Sequence, residues 1–312
     1  MRSTLHYITE AEFPFFHEGT GPQRLARRYR SLRRLGVSAE RAGVLRAQLL
    51  DEMPANAGLG EELLLSRATR LTADWLSGAT PAHMAWQLVR LLWDHGDIRM
   101  DNRAPSWATE DREFVRVQYM ESVGAQRARE YVIRRYVEGY GPVSLRDIAW
   151  WTAFDAKSIA QAIAKLKADG TVTSVRCQRS GYELFFPAIS IDPTPSQEEA
   201  FATVPVFLAY EDPFIKAYFH TRFRYGSASG LRSLFHSTGE AKASVLLRGE
   251  VRGIWVLPSG SRPATLLLCP KLSKPEHSLI ADRWRQHLKT LVGDAKVARQ
   301  SSISVDQTAY VN

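Results

Sequence analysis

Cysteine is nearly missing from this chain: Cys177 and Cys269 are the only two, and they lie far apart. Two separated thiols cannot build a disulfide framework or a zinc cluster, and a cytoplasmic, reducing location fits them. No apolar run reaches the length of a membrane span, and no signal peptide opens the sequence. A Gly-rich phosphate loop between strand and helix is also lacking, as are HExxH and paired CxxC motifs. An enzyme built on this chain is therefore expected to work without a metal, nucleotide or flavin.

What is present begins with charge. The 312 residues, enough for two or three domains, carry 41 basic against 33 acidic side chains, a net charge of +8. Much of the excess sits in residues 23–34, QRLARRYRSLRR, where Arg24, Arg27, Arg28, Arg30, Arg33 and Arg34 occur without an acid. Guanidinium heads this dense suit forked contacts to phosphates, which weaken steeply with salt. A solvated helix face is the plainer explanation of the same run.

The most patterned stretch is 131–186. Val132, Ile133, Tyr136 and Val137 form one helical stripe, stopped by Gly141-Pro142. Ser144, with Asp147 three residues on, opens a second helix; Asp155 opens a third with Ile159, Ala162, Ile163 and Leu166 inward. Two short extended runs around a polar tip follow, from Val172 to Phe186. Three helices and a β-hairpin make a winged helix-turn-helix, whose third helix and wing usually meet DNA. Lys157, Lys165, Arg176 and Arg179 are the basic side chains there. A helical domain for protein contacts is the alternative.

Residues 36–120 repeat this order. Ser38 caps one helix, 61–70 forms a second, and Thr80-Pro81 starts a third with Ala85, Leu88, Val89 and Leu92 inward. Gly96-Asp97 ends it before a wing at 98–100 and 114–120. Upstream, a strand over 4–8 and a Thr9 cap lead towards the basic helix. Downstream, 187–204 is rich in proline and small polar residues and reads as a linker. Short β-rich runs at 206–210, 243–248, 251–257 and 264–270 fit a small antiparallel barrel closed by a helix over 278–291. The expected architecture is α+β: 1–35 a remnant of a first winged helix, 36–120 and 121–190 winged helices, 191–292 a β-barrel with closing helix, 293–312 a frayed tail. A positively charged saddle for nucleic acid requires the third helices of both modules to face outward.

Four phrases resemble a known family. They are MRSTLHYITEAEFPFF (1–16), GPVSLRDIAWWTAF (141–154), Asp212-Pro213-Phe214, and LFHSTGEAKASVLLRGEVRGIW (234–255). They are similar to segments of the winged-helix superfamily of crosslink-repair DNA glycosylases, the AlkZ and YcaQ type, over roughly 1–292. The resemblance implies three winged helices around a cleft, a β-barrel, and double-stranded DNA, alkylated or crosslinked, as partner. It implies excision or unhooking of alkylated bases by N-glycosidic hydrolysis, often as self-resistance to DNA-alkylating natural products. The family's catalytic Gln-x-Gln lies upstream of the segment matched by 1–16, so no position here receives it, and Ser3 stands where the family has glycine.

Excision needs a water placed against C1′ and stabilisation of an oxocarbenium-like sugar; a cationic alkylated base leaves with little acid catalysis. Arg2, Thr4 and His6 alternate along the expected first strand and are the candidate cleft lining, although a lone His6 is more often structural. Trp150 and Trp151 could stack on bases, but their position favours bracing the second helix against the third. Asp212, His220, Arg222 and Arg224 are the candidates in a barrel cleft; the last three alternate as a basic row suited to phosphate or a small acidic ligand, with a solvated strand face as the alternative. The alternative function is a repurposed family member acting on a small molecule in natural-product biosynthesis, in the cleft between winged helices and barrel. A dimeric transcription regulator fits less well, since simple regulators rarely carry an appended barrel.

Overall fold

The computed structural model describes residues 8–75, 79–105, 110–117, 121–178, 180–189, 203–226, 231, 234–237, 239–257, 263–292 and 302–305. The chain divides into two compact units, Met1–Arg135 with Thr152–Ile163, and Tyr136–Trp151 with Ala164–Asn312. It mixes helix and sheet throughout, as expected for an α+β chain.

The first unit begins with a 3-10 turn, Glu10–Glu12, and α1, Phe13–Arg34. Thr9 starts this segment through its carbonyl, while its hydroxyl donates to Glu12 at 2.9 Å. Helix α1 runs unbroken through Gly19, Gly21 and Pro22, although an interior proline costs about 3 kcal/mol. Packing offsets that cost. Gly19, Thr20 and Gly21 are buried, and a Cβ on Gly19 would lie 3.1 Å from the Ala128 carbonyl oxygen and 3.3 Å from Val132. Glycine lets two helix backbones approach here, a tertiary reason that a propensity reading does not contain.

Next come α2 (Ala39–Asp51), β1 (Leu59–Gly60), α3 (Glu61–Leu71), α4 (Pro81–His95), β2 (Ile98–Asn102) and β3 (Arg112–Arg116). The expected caps are present: Ser38 Oγ accepts from Arg41 N–H and Thr80 Oγ1 from His83 N–H. Gly96 ends α4 at φ 80°, and a Cβ there would sit 2.5 Å from the His17 ring. The sheet order is β1-β3-β2, antiparallel, with Phe114 opposite both Leu59 and Met100. Leu45, Leu49, Leu64, Leu88, Leu92, Ile98 and Phe114 belong to one core.

Helix α4 corrects the expectation of two outward third helices. Seven of its side chains are buried, and α1 and α3 pack on it. Arg28 reaches from α1 to Asp94 at 2.9 Å and to Gln87 at 2.7 Å, and the Tyr29 hydroxyl meets His95 Nε2 at 2.9 Å. A run such as PAHMAWQLVRLLWDH, apolar on more than one side, suits a helix covered from two directions. It cannot also lie in a DNA groove.

Helices α5 (Ala125–Tyr140) and α7 (Ala156–Ala168) each contribute residues to both units; α6 (Leu145–Thr152) lies between them. Asp155 caps α7 as read, accepting from Ser158 N–H at 2.8 Å. In the second unit, β4 (Val172–Arg176) and β5 (Glu183–Pro187) form an antiparallel hairpin, Val172 opposite Pro187. A five-stranded sheet follows, built from β6 (Val206–Leu208), β7 (Ser244–Leu247), β8 (Glu250–Val256), β9 (Thr265–Leu268) and β10 (Ser302–Val305). Its order is β10-β9-β8-β7-β6.

This sheet is open: among the described residues no strand pairing closes it into the expected barrel. It pairs antiparallel except for β10, which lies parallel to β9, with Ser302 opposite Thr265. Residues 302–305, read as part of a frayed tail, thus form an edge strand. Helix α9 (Lys274–Val292), longer than the closing helix expected from 278, places fully buried Trp284 against Phe207 and Trp255. The Trp255 indole N–H donates to the Leu208 carbonyl at 3.0 Å. Between β6 and β7 lie α8 (Pro213–Lys216) and a 3-10 turn, Arg222–Tyr225, the latter where a basic strand row was read.

Candidate functional site

The arginine run divides by helical phase. Arg24 turns inward, its guanidinium 3.1 Å from His17 Nδ1, and Arg28 is held by Asp94 and Gln87. Burial, with the Arg24 charge beside it, pushes the His17 imidazole down to about 4, so this histidine stays neutral. Arg27, Arg30, Arg33 and Arg34 are exposed instead. Spacings of three and four put Arg27, Arg30 and Arg34 along one face of α1, with Arg33 beside them. Arg33 and Arg34 also suit the last helical turn, where cations meet the negative end of the helix dipole.

On α7, Lys157 and Lys165 are exposed, eight residues apart and hence on neighbouring lines of one helix face. Lys167 bonds to Ser174 at 2.9 Å, and Ser174 donates to Glu183 at 2.8 Å, tying the helix end to the hairpin. Arg176, exposed on β4, donates to the Gly181 carbonyl at 3.1 Å and so also shapes the hairpin tip. Arg2, Thr4, His6 and Arg179 lie outside the described residues.

The second unit holds a polar knot around Asp147, which is fully buried. Its Oδ1 accepts the N–H groups of Phe219 at 2.8 Å, His220 at 2.7 Å and Thr221 at 3.2 Å. Its Oδ2 accepts from Ser144 N–H at 3.1 Å, Ser144 Oγ at 2.8 Å and Thr221 Oγ1 at 2.9 Å. Burial alone would raise the carboxyl's pKa, but the donors of Phe219, Ser144 and Thr221 outweigh it and hold it below the ordinary range. The reciprocal Ser144–Asp147 pair is the helix cap read from the sequence, since Asp147 N–H also donates to Ser144 Oγ at 3.2 Å. The same carboxylate fastening a loop more than seventy residues away was not legible, because no local pattern marks a carboxylate for distant donors.

That loop corrects the basic row. His220, Arg222 and Arg224 do not alternate on a strand; they lie in a turn and the 3-10 segment after it. Arg222 Nε donates to the Tyr218 carbonyl, and its head lies 5.0 Å from the Trp150 ring and 4.1 Å from Phe235. Arg224 donates to the carbonyls of Thr221 at 3.2 Å and Pro142 at 2.7 Å. Asp212 caps α8, accepting from Phe214 N–H at 2.8 Å. Ser144 Oγ meets the His220 Nδ1 at 2.9 Å, and Nε2 has no hydrogen-bond partner among the described residues. Trp151 is buried against Tyr136 and Tyr140, while Trp150 stacks on Phe219 at 6.1 Å.

Among the described residues no helix is long and apolar enough to cross a membrane. A search of the curated proteins finds no match. Among solved structures, the DNA glycosylase AlkZ of Streptomyces sahachiroi is similar in fold, with a TM-score of 0.72 at 15% identity over 98% of this chain and 80% of that one. The family model described as DNA glycosylase AlkZ-like matches residues 1–290, nearly the whole chain. The chain belongs to the AlkZ-like DNA glycosylase family.

Proposed function

We propose that this protein binds duplex DNA and acts on alkylated or crosslinked bases by hydrolysing the N-glycosidic bond. Family membership supports the reaction class. The observation that carries the DNA contact is the exposed row Arg27, Arg30, Arg33 and Arg34 on α1, beside two arginines already engaged inside the fold. Guanidinium heads gathered on one helix suit forked contacts to phosphates, which lysines make only as point charges.

Two winged-helix modules remain part of this reading. The order α2-β1-α3-α4-β2-β3 has the helix and hairpin sequence of one, and α5-α6-α7-β4-β5 that of another. With α4 covered, the first module serves as a mount for α1, and α7 of the second is the helix left to face DNA through Lys157 and Lys165. An N7-alkylated purine is a cationic leaving group, so catalysis consists mainly of placing water at C1′ and stabilising positive charge on the sugar. Arg2, Thr4 and His6 are the cleft residues proposed to line that position.

The test is incubation of the protein in excess with duplex DNA containing N7-alkylguanine, scored for abasic sites. Accumulating abasic sites support the reading. Salt-sensitive binding without release leaves a DNA-binding protein that does not hydrolyse. No affinity even at low salt overturns the reading and favours a small-molecule role.

A further inference from the structure

The Asp147 knot has a consequence for His220 that structural fastening does not require. Ser144 Oγ owns one proton. It lies 2.8 Å from Asp147 Oδ2 and 2.9 Å from His220 Nδ1. The carboxylate, ionised and surrounded by donors, has no proton to offer, so the hydroxyl proton goes to Asp147. The contact to His220 must then be made by an Nδ1–H donor. Neutral His220 is thereby fixed as the Nδ1–H tautomer, with Nε2 a bare acceptor. Its backbone N–H is held by the same carboxylate at 2.7 Å, so the residue is fixed at both ends.

Two exposed aromatic side chains neighbour His220, one across its ring and one next to it in the chain. Tyr182, on the hairpin and 39% exposed, covers the imidazole with centroids 4.1 Å apart. Phe219, 57% exposed, lies parallel to Trp150, with the Arg222 head 5.5 Å from its ring. Exposed rings beside a fixed acceptor and a guanidinium do little for folding. They are the groups that receive unstacked bases in single-strand recognition.

We propose that Tyr182, Phe219 and His220 form a platform for one unpaired nucleobase, which stacks on an exposed ring while a base N–H donates to His220 Nε2. The proposal rests on the DNA-binding reading above and adds a preference for DNA with a base out of the stack. A base displaced near a lesion is such an occupant, and the chain's net charge of +8 suits a polyanionic strand.

The experiment compares the full chain on a fully paired duplex and on the same duplex with a single-base bulge, by fluorescence anisotropy. Wild type is expected to prefer the bulge. Tyr182→Ala and His220→Ala should each lose roughly tenfold on the bulge while leaving duplex affinity and salt slope unchanged, as base stacking is not a counterion effect. His220→Asn can still donate to Ser144 but cannot reach the position of Nε2, so it should behave like alanine; His220→Gln should recover part of the loss. Rescue by Asn but not Gln, or equal losses on both DNAs, would show a merely structural histidine and overturn the proposal. Bulge affinity unchanged in both alanine variants overturns it as well. Wild type binding neither DNA at low salt would sink the DNA-binding reading, a different failure recognisable without any variant.

Discussion

Replacing Asp147 by Asn keeps the shape of the side chain but turns one acceptor into a donor among six donors. The hydroxyls of Ser144 and Thr221 can rotate to accept, but the Ser144 N–H cannot. We expect a loss of about 3 kcal/mol, the scale of unsatisfied buried groups bonded to a charge. Asp155→Asn, at an exposed cap where Asn serves equally well, should leave stability nearly unchanged. Urea unfolding of the two variants measures the contrast, and equal midpoints would show that the knot contributes nothing beyond a cap. The pair also marks the limit of reading residues from sequence. Both aspartates were legible as parts of helix caps, Asp147 as the partner three residues on from Ser144 and Asp155 as the cap itself. Only the fold brings Phe219, His220 and Thr221 to one of them.

Helix α1 makes the corresponding point for an element. Its basic half was legible as a charged helix, but composition did not say which arginines face out; that depends on α4 being present to take up Arg28. With the phase known, Arg27→Ala and Arg30→Ala together should weaken duplex binding and flatten the plot of log affinity against log salt by about 2, at roughly 0.9 per phosphate contact. Arg28→Ala should lower stability with little change in that slope. Titration of duplex DNA at several salt concentrations separates the two, and an identical slope change for Arg28 would remove the basis for the assignment. Glycines give a second test. A Cβ on Gly43 in α2 would meet nothing within 4 Å, so Gly43→Ala should raise stability by about 0.5–1 kcal/mol. Gly19→Leu should lower it, since the side chain would meet the Ala128 backbone. The caps, the hairpins and the closing helix followed from local spacing; the open sheet and the covered α4 did not, because sheet closure and burial on a second face are set by distant partners.

At the scale of the whole molecule, acid acts in two opposed directions. The net charge of +8 counts histidine as neutral, so each imidazolium formed as pH falls adds to it and strengthens attraction to a polyanion. Stability moves the other way. Burial holds the imidazoles of His17, His95 and His287 below their ordinary value, His17 at about 4 against 6.5. Between those two values the unfolded chain binds a proton that the folded His17 refuses, so stability is full above pH 6.5 and declines as pH falls towards 4. The His17 share of that loss is at most about 3.5 kcal/mol, from roughly 1.4 kcal/mol per pH unit. Carboxyls held low, such as Asp147 and Glu12, lose their contribution only below their unfolded values of 3.8 and 4.5, largely outside this window. His17→Gln keeps an oxygen that can accept from Arg24 but has nothing to titrate. Its denaturant midpoint should therefore vary less than that of wild type between about pH 7 and 5. An unchanged pH dependence would mean that His17 is solvated in the folded protein. DNA affinity tightening towards about pH 5.5 while the thermal midpoint falls would show both effects together, the surface gaining charge as the interior resists it.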